Sequence, residues 1–261
     1  MAAQKPEAAG TLFVPKRLRR NFWQSAANKF GQALIKKSRL RDLPLAQNLH
    51  AIFAHHKIDC VFDVGAHVGT YGTFLREEVR YSGLIVSVEP VRASFDALAK
   101  RAAADGNWRT ENIALGAAEG TATINVMKRS NFSSFLQPET SAVSAFADEN
   151  VVMRTEAVPV RRFDDLLAEI RRERAIRNIY LKLDTQGWDM AVIEGAGAAL
   201  ADVKALQSEV SVRAIYGAMS NYLETLSRLA ALGFAPSGFY PVMRDAQLRA
   251  IEFDAVMVRS A

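Results

Sequence analysis

Four carboxylates stand where short apolar segments of the sequence end. Asp63, Glu89, Asp184 and Glu209 each close, or lie near the end of, a run of residues that reads as a buried strand. Because the carboxyl ends of parallel strands meet at one edge of a sheet, we expect these side chains to face a common site. Carboxylates placed there accept hydrogen bonds from hydroxyls, oppose a cation, or remove a proton from a nucleophile.

The segment VFDVGAHVGTYG, residues 61–72, joins the first of these strands to a helix. Gly65 lets the backbone turn sharply, and Gly69 keeps a side chain out of a ligand's path. The helix that follows offers unpaired amides and the positive end of its dipole. This loop is therefore predicted to bind a charged ligand, with Asp63 facing a cationic ammonium group.

The glycine spacing argues against two common nucleotide motifs. A dinucleotide fingerprint that begins at Gly65 needs glycine at positions 67 and 70, where the sequence has His67 and Thr70. No Gly-Lys-Ser or Gly-Lys-Thr follows, so the segment does not match a phosphate-binding P-loop. For the glycines alone, an ordinary tight turn is the alternative.

Two further strand ends favour an adenosyl ligand. Glu89 ends the second strand at the place where an acidic residue typically binds two ribose hydroxyls. Asn112 and Ala114 end the third strand, where amide and backbone groups can meet an adenine edge. Each residue alone is explained equally well by a solvated strand end or a turn, but their order along the chain favours adenosyl binding.

The fourth and fifth strands carry the catalytic candidates. Asp184 ends the fourth in LKLD, and Glu209 ends the fifth in QSEV. Glu209 is predicted to accept a proton from the substrate, while Asp184 positions the cofactor or shares the base role. Lys182 lies on the same side of its strand as Asp184 and is predicted to pair with a carboxylate. An ion-pair network that only satisfies strand ends is the alternative.

Apolar runs alternate with helical patterns from Ile58 onward, which is typical of strand-helix-strand units and of a mostly parallel α/β sheet. The predicted strands are 60–64, 84–89, 109–114, 179–184 and 205–210. The predicted helices are 69–80, 92–104, 162–174, 189–199 and 222–232. The runs 237–242 and 251–259 follow one another without a helix, which predicts an antiparallel C-terminal hairpin.

The sequence divides into an N-terminal basic helical arm, residues 1–56, and an α/β domain, residues 57–261. Two amphipathic helices broken near Pro44 are predicted to form a helical cap. An insertion at about residues 120–160 contains two extra strands, 121–127 and 151–160, around a polar segment.

The insertion is predicted to shape a substrate pocket with Asn131, Ser133 and Ser134. The loop after the fifth strand is predicted to add Arg213 and Tyr216, so that the pocket suits a polyhydroxylated ligand. Alternatively, the two serines cap a helix that begins at Phe135.

The net charge of +5 is uneven, since a cluster of basic residues precedes Asp42. Such an arm could meet an anionic partner or mediate self-association, and a solvated helical face is the alternative. Nucleic acid is not the favoured partner, because the rest of the sequence lacks an evenly basic patch. A single cysteine, Cys60, and the absence of a long apolar run or secretory signal predict a cytoplasmic protein without a transmembrane segment.

The sequence resembles the FkbM family of methyltransferases, within the class I S-adenosylmethionine-dependent fold. The motifs that carry the resemblance span roughly residues 58–259 and include VFDVGAHVGTYG, SVEP, NIALGAAEG, VRRFDDLL, YLKLDTQGWDMAVIEGA, SEVSVRAIYGA and FDAVMVR. The family commonly has asparagine at the position of His67 and often glutamate at that of Asp189. The resemblance implies a Rossmann-like sheet with S-adenosylmethionine as cofactor, and His67 is a candidate donor to the cofactor's carboxylate.

The substrate range implied by the resemblance is a hydroxyl of a sugar, glycan, glycolipid or secondary metabolite, which the chain would O-methylate. Methylation of nitrogen or a carboxylate on a peptide or small molecule is one alternative. A non-catalytic nucleic-acid or membrane-binding module on the same fold is another. Asp184, Asp189 and Glu209 offer oxygen ligands of the kind that magnesium accepts, but their spacing alone establishes no metal site.

Overall fold

The structure is a computed structural model that describes residues 39–128, 130–137, 151–213, 216, 217 and 219–260. The strands are β1 (Cys60–Val64), β2 (Leu84–Val88), β3 (Trp108–Glu111), β4 (Ala114–Leu115), β5 (Gly120–Met127), β6 (Val152–Arg161), β7 (Ile179–Leu183), β8 (Val203–Ser211), β9 (Phe234–Arg244) and β10 (Ala250–Arg259). The helices are α1 (Leu43–His56), α2 (Thr70–Phe74), α3 (Arg92–Ala102), α4 (Phe163–Glu173), α5 (Asp189–Glu194) and α6 (Tyr222–Ala231).

Seven of the ten described strands form one sheet, in the order β3-β2-β1-β7-β8-β10-β9. Strand β1 is parallel to both β2 and β7, and the strand order reverses at this point. The crevice outside the carboxyl ends of these strands is the usual ligand site of such sheets. Strand β10 runs antiparallel to β8 and β9. The predicted α/β fold, mostly parallel with an antiparallel C-terminal hairpin, is confirmed.

Strand β1 is buried along its whole length, as expected for the centre of a parallel sheet. Its side chains alternate between two apolar cores. Phe62 packs against Phe163 of α4, with ring centroids 4.7 Å apart. Val61 joins the opposite core, beneath α1 and α2. Asp63 is two residues after Val61 and belongs to the same face, so its carboxylate lies on the side covered by α1 and α2.

Helix α1 is the second of the two helices predicted for the arm, and it begins near Pro44, whose fixed φ suits a first turn. Phe53 of α1 packs edge-on against Tyr180 of β7, with ring centroids 4.9 Å apart. The first predicted helix lies outside the described residues. The domain boundary at residues 56 and 57 stays a prediction. None of the helices in the described ranges has both the length and the apolar character needed to cross a bilayer.

Three predicted elements differ from those observed. The third strand is split, because β3 pairs with β2 in the main sheet whereas β4 pairs with β6 in the second sheet. Between them, the amide of Asn112 donates to the carbonyls of Glu89 and Pro90, at 2.9 and 3.0 Å. The helix after the glycine loop continues from α2 as a π-helical turn, Leu75–Val79. The helix predicted over 189–199 ends at Glu194, and a 3₁₀ turn, Gly197–Asp202, follows it.

The insertion forms a second sheet. Strand β6 pairs antiparallel with β5 and parallel with the short β4, which gives the order β4-β6-β5 among the described strands. An isolated bridge between Asn125 and Ser134 holds residues 130–137 against β5. Part of the insertion, residues 138–150, lies outside the description. The described part stands beside the carboxyl edge of the main sheet, where Ile124, Asn131 and Phe135 line a cavity shared with the glycine loop.

The crossing of the loops after β1 and β7 requires glycine. Gly65 has a φ of +80°, and a Cβ there would lie 1.9 Å from the carbonyl oxygen of Asp184. Gly65→Ala is expected to lower the free energy of unfolding by roughly 2 kcal/mol or more, since a left-handed residue and a backbone contact are both disturbed. Gly106→Ala is the control, because a Cβ there meets nothing within 4 Å. Equal urea midpoints for the two variants would contradict this expectation.

Candidate functional site

The loop after β1 is held by the neighbouring strand. The backbone N–H groups of Gly65 and Ala66 both donate to the carbonyl of Val88, at 3.0 Å each. His67 follows in the left-handed conformation, with φ 49°, and its N–H donates to Glu89 Oε2 at 2.8 Å. Asparagine enters this conformation more readily than most residues, as histidine also does to a lesser degree. Histidine is thus one of the non-glycine residues that this backbone position accepts.

Glu89 is buried at the end of β2, and both of its oxygens accept backbone hydrogen bonds. Oε1 accepts from the N–H of Val91 at 2.9 Å, opposite the bond from His67. Burial raises the pKa of Glu89 to about 7, although the two backbone donors act in the other direction. Burial also lowers the pKa of the His67 side chain, which favours its neutral form. Glu89 is thus a carboxyl that changes charge near neutral pH at the wall of the site.

A cavity of about 600 Å³, counted with its open mouth, lies between the carboxyl edge of the main sheet and the insertion. Its described lining includes two carboxylates and neither lysine nor arginine. The lining residues are Val64, Gly65, His67, Val88, Glu89, Pro90, Val91, Ala114, Leu115, Ile124, Asn131, Ser133, Phe135, Asp184, Thr185, Gln186 and Trp188. The cavity is therefore suited to a ligand with a positive charge and an apolar ring.

Several of the predicted cofactor residues line this cavity, namely Gly65, His67, Glu89, Ala114 and Asp184. Asn112 is not among the lining residues, and its amide instead fixes the turn of Glu89 and Pro90. Gly69 starts α2 with a φ of +78°, and a Cβ there would lie 2.8 Å from the Leu98 side chain. Gly69 therefore makes room for α3.

Asp63 lies beneath the cavity, fully buried. Ser87 Oγ donates to its Oδ2 at 3.2 Å, and the ammonium of Lys182 lies 3.7 Å from its Oδ1. Burial raises the pKa of Asp63, and Lys182 partly opposes that rise. Asp63 therefore faces the ammonium of Lys182. Its contact with the ammonium group of a ligand stays a prediction.

Lys182 also pairs with Asp184, as the pleat of the strand predicts. Its Nζ lies 2.7 Å from Asp184 Oδ2, and the Asp184 side chain is 34% exposed while that of Lys182 is 7% exposed. Burial favours the neutral form of Asp184, but Lys182 and the hydrogen bonds from Gln186 and Glu209 outweigh it and lower its pKa. Asp184 is thus an ionised carboxylate at the cavity wall.

Glu209 stands behind Asp184 and does not line the cavity. The amide Nε2 of Gln186 joins the two acids, since it donates to Asp184 Oδ1 at 3.0 Å and to Glu209 Oε2 at 2.9 Å. Burial of Glu209, followed by repulsion from Asp184, Glu252 and Asp254, raises its pKa well above the ordinary value. The two acids form a coupled pair in which Glu209 holds a proton more tightly than Asp184.

The loop between β7 and α5 supplies residues that the sequence reasoning did not assign. Thr185, Gln186 and Trp188 line the cavity. Asp189 pins this loop, because it accepts hydrogen bonds from Thr185 and, at 2.5 Å, from Ser208 Oγ. The signal was present in the motif LKLDTQGWD, where three polar residues and a glycine follow a buried strand.

The predicted substrate residues divide into three groups. Asn131 and Ser133 line the cavity. Ser134 and Tyr216 lie behind the cavity and contact Gln186. Ser134 Oγ donates to the backbone carbonyl of Gln186 at 2.8 Å, and the Tyr216 hydroxyl lies 2.9 Å from Gln186 Oε1. Arg213 is exposed and lies 3.7 Å from Asp245. Residues 135–137 are not helical, so the alternative that the serines cap a helix there is wrong.

No group of three or more His, Cys, Asp or Glu side chains within the described part of the chain is arranged to hold a metal ion. Asp184 instead forms an ion pair with Lys182, and both Asp184 and Glu209 accept hydrogen bonds from Gln186. Asp189 uses its oxygens on Thr185 and Ser208.

Removal of the buried ammonium tests the charge balance beneath the cavity. Lys182→Met leaves Asp63 and Asp184 without their cation, and the free energy of unfolding at neutral pH is expected to fall by about 3 kcal/mol. Without Lys182 both carboxyls bind protons more readily in the folded state, so the loss should shrink as the pH falls. Urea denaturation at a mildly acidic and a mildly alkaline pH measures both effects. Lys100→Met, at an exposed position of α3, is the control.

Comparisons with solved structures return chains of low identity. A methyltransferase FkbM from Methylobacillus flagellatus KT is 13% identical with a TM-score of 0.47, over 84% of this chain and 60% of that one. An rRNA methylase from Streptococcus thermophilus is 12% identical with a TM-score of 0.44, over 88% of this chain and 100% of that one. Fibrillarin from Aeropyrum pernix, solved with S-adenosyl-L-methionine, is 12% identical with a TM-score of 0.43, over 81% and 76%.

A comparison with curated proteins finds no match. A family model does match: the methyltransferase FkbM domain aligns with residues 63–236, which contain the glycine loop, Glu89, Asp184 and Glu209. That range covers most of the α/β domain and every described residue that lines the cavity. The chain therefore belongs to the FkbM family of methyltransferases.

Proposed function

We propose that the chain transfers a methyl group from S-adenosylmethionine to a hydroxyl of a sugar, glycan, glycolipid or secondary metabolite. The observation that carries this proposal is the Asp184–Glu209 pair, in which a carboxylate at the cavity wall is backed by a second acid with a raised pKa. A hydroxyl is a poor nucleophile while it keeps its proton, so a base beside the methyl donor is the group that O-methylation needs.

The residues of the cavity fit S-adenosylmethionine. The described lining provides the carboxyl groups of Glu89 and Asp184 and contains neither lysine nor arginine. Glu89 would accept hydrogen bonds from the ribose hydroxyls, and Asp184 would oppose the ammonium group of the cofactor's amino acid end. Val91, Leu115 and the backbone at Ala114 would surround the adenine. When bound, the cofactor supplies an electrophilic methyl group on a positively charged sulfur.

The protein's own task is alignment and proton removal. Asp184 is the member of the pair that reaches the cavity, so it is the group that would contact the acceptor hydroxyl. Asp184 would accept the proton of the acceptor hydroxyl and pass it to Glu209. Glu209 would hold that proton, because its raised pKa makes it the stronger base once it is ionised. Lys182 holds Asp184 in place through the 2.7 Å ion pair. Asn131 and Ser133 offer polar groups, and Phe135 an apolar face, to a polyhydroxylated acceptor.

Two further parts of the proposal rest on the sequence. A cytoplasmic location is supported by Cys60, a buried free thiol that suits a reducing compartment. The basic arm is proposed to bind an anionic partner or a second copy of the chain. Deletion of residues 1–38 should then abolish salt-sensitive binding to anionic vesicles, or dimerisation, without loss of cofactor binding. Wild-type protein that shows neither property would contradict the proposal for the arm.

The direct experiment is calorimetry with S-adenosylmethionine, followed by a methyl-transfer assay on hydroxylated acceptors with and without a chelator. Binding with transfer to a hydroxyl, unaffected by the chelator, is the expected result. Transfer only to amines or carboxylates would support the alternative acceptor class. Absence of cofactor binding by folded protein would overturn the proposal.

The charge state of Glu89 should control cofactor affinity. The folded-state pKa of about 7 means that the empty site holds a proton at mildly acidic pH and loses it as the pH rises. Ribose hydroxyls donate to the ionised form, so affinity should rise with pH through about 7 and proton release should accompany binding. Calorimetry in buffers of different ionisation enthalpy measures both quantities. Glu89→Gln should bind roughly 10-fold or more weakly.

Glu111→Gln is the control for that series, since Glu111 lies on the adjacent strand and pairs with Arg109 outside the cavity. Its pH dependence should match that of the wild type. A pH-independent affinity in the wild type would contradict the placement of the ribose at Glu89.

Glu209 should set the pH dependence of turnover. The pair must lose its shared proton before it accepts one from the acceptor, so the rate should rise with pH through the raised pKa of Glu209. Glu209→Gln is expected to reduce kcat by roughly 100-fold or more and to abolish this rise. The control is Glu224→Gln, at an exposed position of α6. Unchanged turnover in Glu209→Gln would favour methylation of nitrogen or a carboxylate.

A further inference from the structure

Gln186 is held in an unusual conformation beside the coupled acids. Its φ of 52° lies in the left-handed region, although it carries a full side chain. The glycine that follows, Gly187, also has a positive φ of 91°. A left-handed residue that is not glycine persists only where the surroundings hold it, and such residues concentrate at functional sites.

Both polar ends of the Gln186 side chain are engaged. The two hydrogens of Nε2 go to different carboxyl groups, Asp184 Oδ1 at 3.0 Å and Glu209 Oε2 at 2.9 Å. At the other end, Oε1 lies 2.9 Å from the Tyr216 hydroxyl, which also lies 2.8 Å from the carbonyl of Phe132. Because the ionised carboxylate of Asp184 only accepts hydrogen bonds, the amide nitrogen of Gln186 must be the end that faces Asp184.

The backbone of Gln186 ties this arrangement to the insertion. Its carbonyl accepts a hydrogen bond from Ser134 Oγ at 2.8 Å. Ser134 in turn belongs to the segment that is bridged to β5 through Asn125. The residue is therefore fixed at three points, from the acids, from Tyr216 and from the insertion.

We propose that Gln186 is a positioning residue that stabilises the doubly ionised state of the Asp184–Glu209 pair and so lowers the pH at which the pair becomes a base. Each N–H donates to a different carboxylate, and hydrogen bonds to charged groups are stronger than those between neutral groups. The inference rests on the proposed function for its effect on rate, but its effect on ionisation belongs to the protein alone.

The other charged and titratable groups around Glu209 act in both directions. Asp184, Glu252 and Asp254 disfavour its ionisation, and Lys182 favours it. The hydroxyl of Tyr216 is also nearby, and burial, followed by repulsion from Glu252, Glu209 and Asp184, raises the pKa of that phenol. The phenol thus remains neutral and serves as a hydrogen-bond partner. Gln186 differs from these charged and titratable groups, because its neutral amide forms hydrogen bonds with both Asp184 and Glu209.

The first experiment titrates the carboxyls in the ligand-free protein. Carbon-13 NMR of protein labelled at the glutamate carboxyl follows Glu209, whose signal is identified by its loss in Glu209→Gln. Gln186→Leu keeps similar volume but removes both donors, so the ionisation of Glu209 should move to higher pH. Tyr216→Phe removes the hydroxyl beside Gln186 Oε1 and should move it in the same direction by a smaller amount. Gln247→Leu, at an exposed position before β10, should leave it unchanged.

The second experiment compares pH profiles of methyl transfer. In Gln186→Leu the rising limb should move to higher pH, and the rate at neutral pH should fall roughly 10-fold or more, while KM for the cofactor changes little. A folded Gln186→Leu protein with the wild-type ionisation of Glu209 would overturn the positioning role. If Gln186→Leu does not fold by circular dichroism, Tyr216→Phe decides on the same criterion, since its ring preserves the packing.

The two experiments distinguish failure of the proposed function from failure of the role proposed for Gln186. Wild-type protein that transfers no methyl group to any hydroxyl acceptor would overturn O-methylation and leave the titration result intact. Conversely, active wild-type protein combined with an unchanged titration in both variants would overturn only the role of Gln186.

Discussion

The buried ammonium of Lys182 is the interaction on which the site depends. It lies between Asp63, 3.7 Å away, and Asp184, 2.7 Å away, at the centre of the sheet. A buried carboxylate without a cation would bind a proton or destabilise the fold. With Lys182 present, Asp184 stays ionised at the cavity wall. Every later step, from the coupling with Glu209 to the orientation of Gln186, requires that negative charge.

The strand order explains why these groups meet. Asp63 of β1 and Lys182 of β7 are direct partners in the parallel register, so their side chains share one face of the sheet. Asp184 follows β7 at the edge of the sheet where the loop after β1 crosses the loop after β7. Position 65 there must be glycine, because a Cβ would collide with the carbonyl oxygen of Asp184. The same crossing that builds the crevice thus places the ion pair beneath it. Fold and charge arrangement are consequences of one pairing.

Much of this was predictable from the sequence, because it depends on local pattern. Buried strands read as apolar runs, glycines mark the loop, and Lys182 and Asp184 share a strand face by simple alternation. The split after Glu111 was not predictable in this way, since it depends on the pairing of β4 with the distant strand β6. The position of Glu209 behind Asp184 likewise follows from the pairing of β7 with β8, which a single sequence does not specify.

The role of Gln186 was missed for a related reason. In the sequence, glutamine followed by glycine is typical of an ordinary turn. The partners of Gln186, Tyr216 and Ser134, come from distant parts of the chain. Ser134 and Tyr216 contact Gln186 and therefore lie behind the cavity, not in its lining. Tertiary contacts between distant residues are what local pattern leaves open.

Three carboxyl groups in or behind the cavity, those of Glu89, Asp184 and Glu209, differ in charge because their surroundings differ. Glu89 accepts hydrogen bonds from two backbone N–H groups, and burial raises its pKa to about 7. Asp184 has Lys182, and its pKa is lowered, while Glu209 is raised by burial and by Asp184 itself. A positive charge entering the cavity favours the ionised form of all three groups. The charge of a bound methyl donor would therefore also favour the doubly ionised Asp184–Glu209 pair, so that the base becomes competent chiefly when the donor is in place.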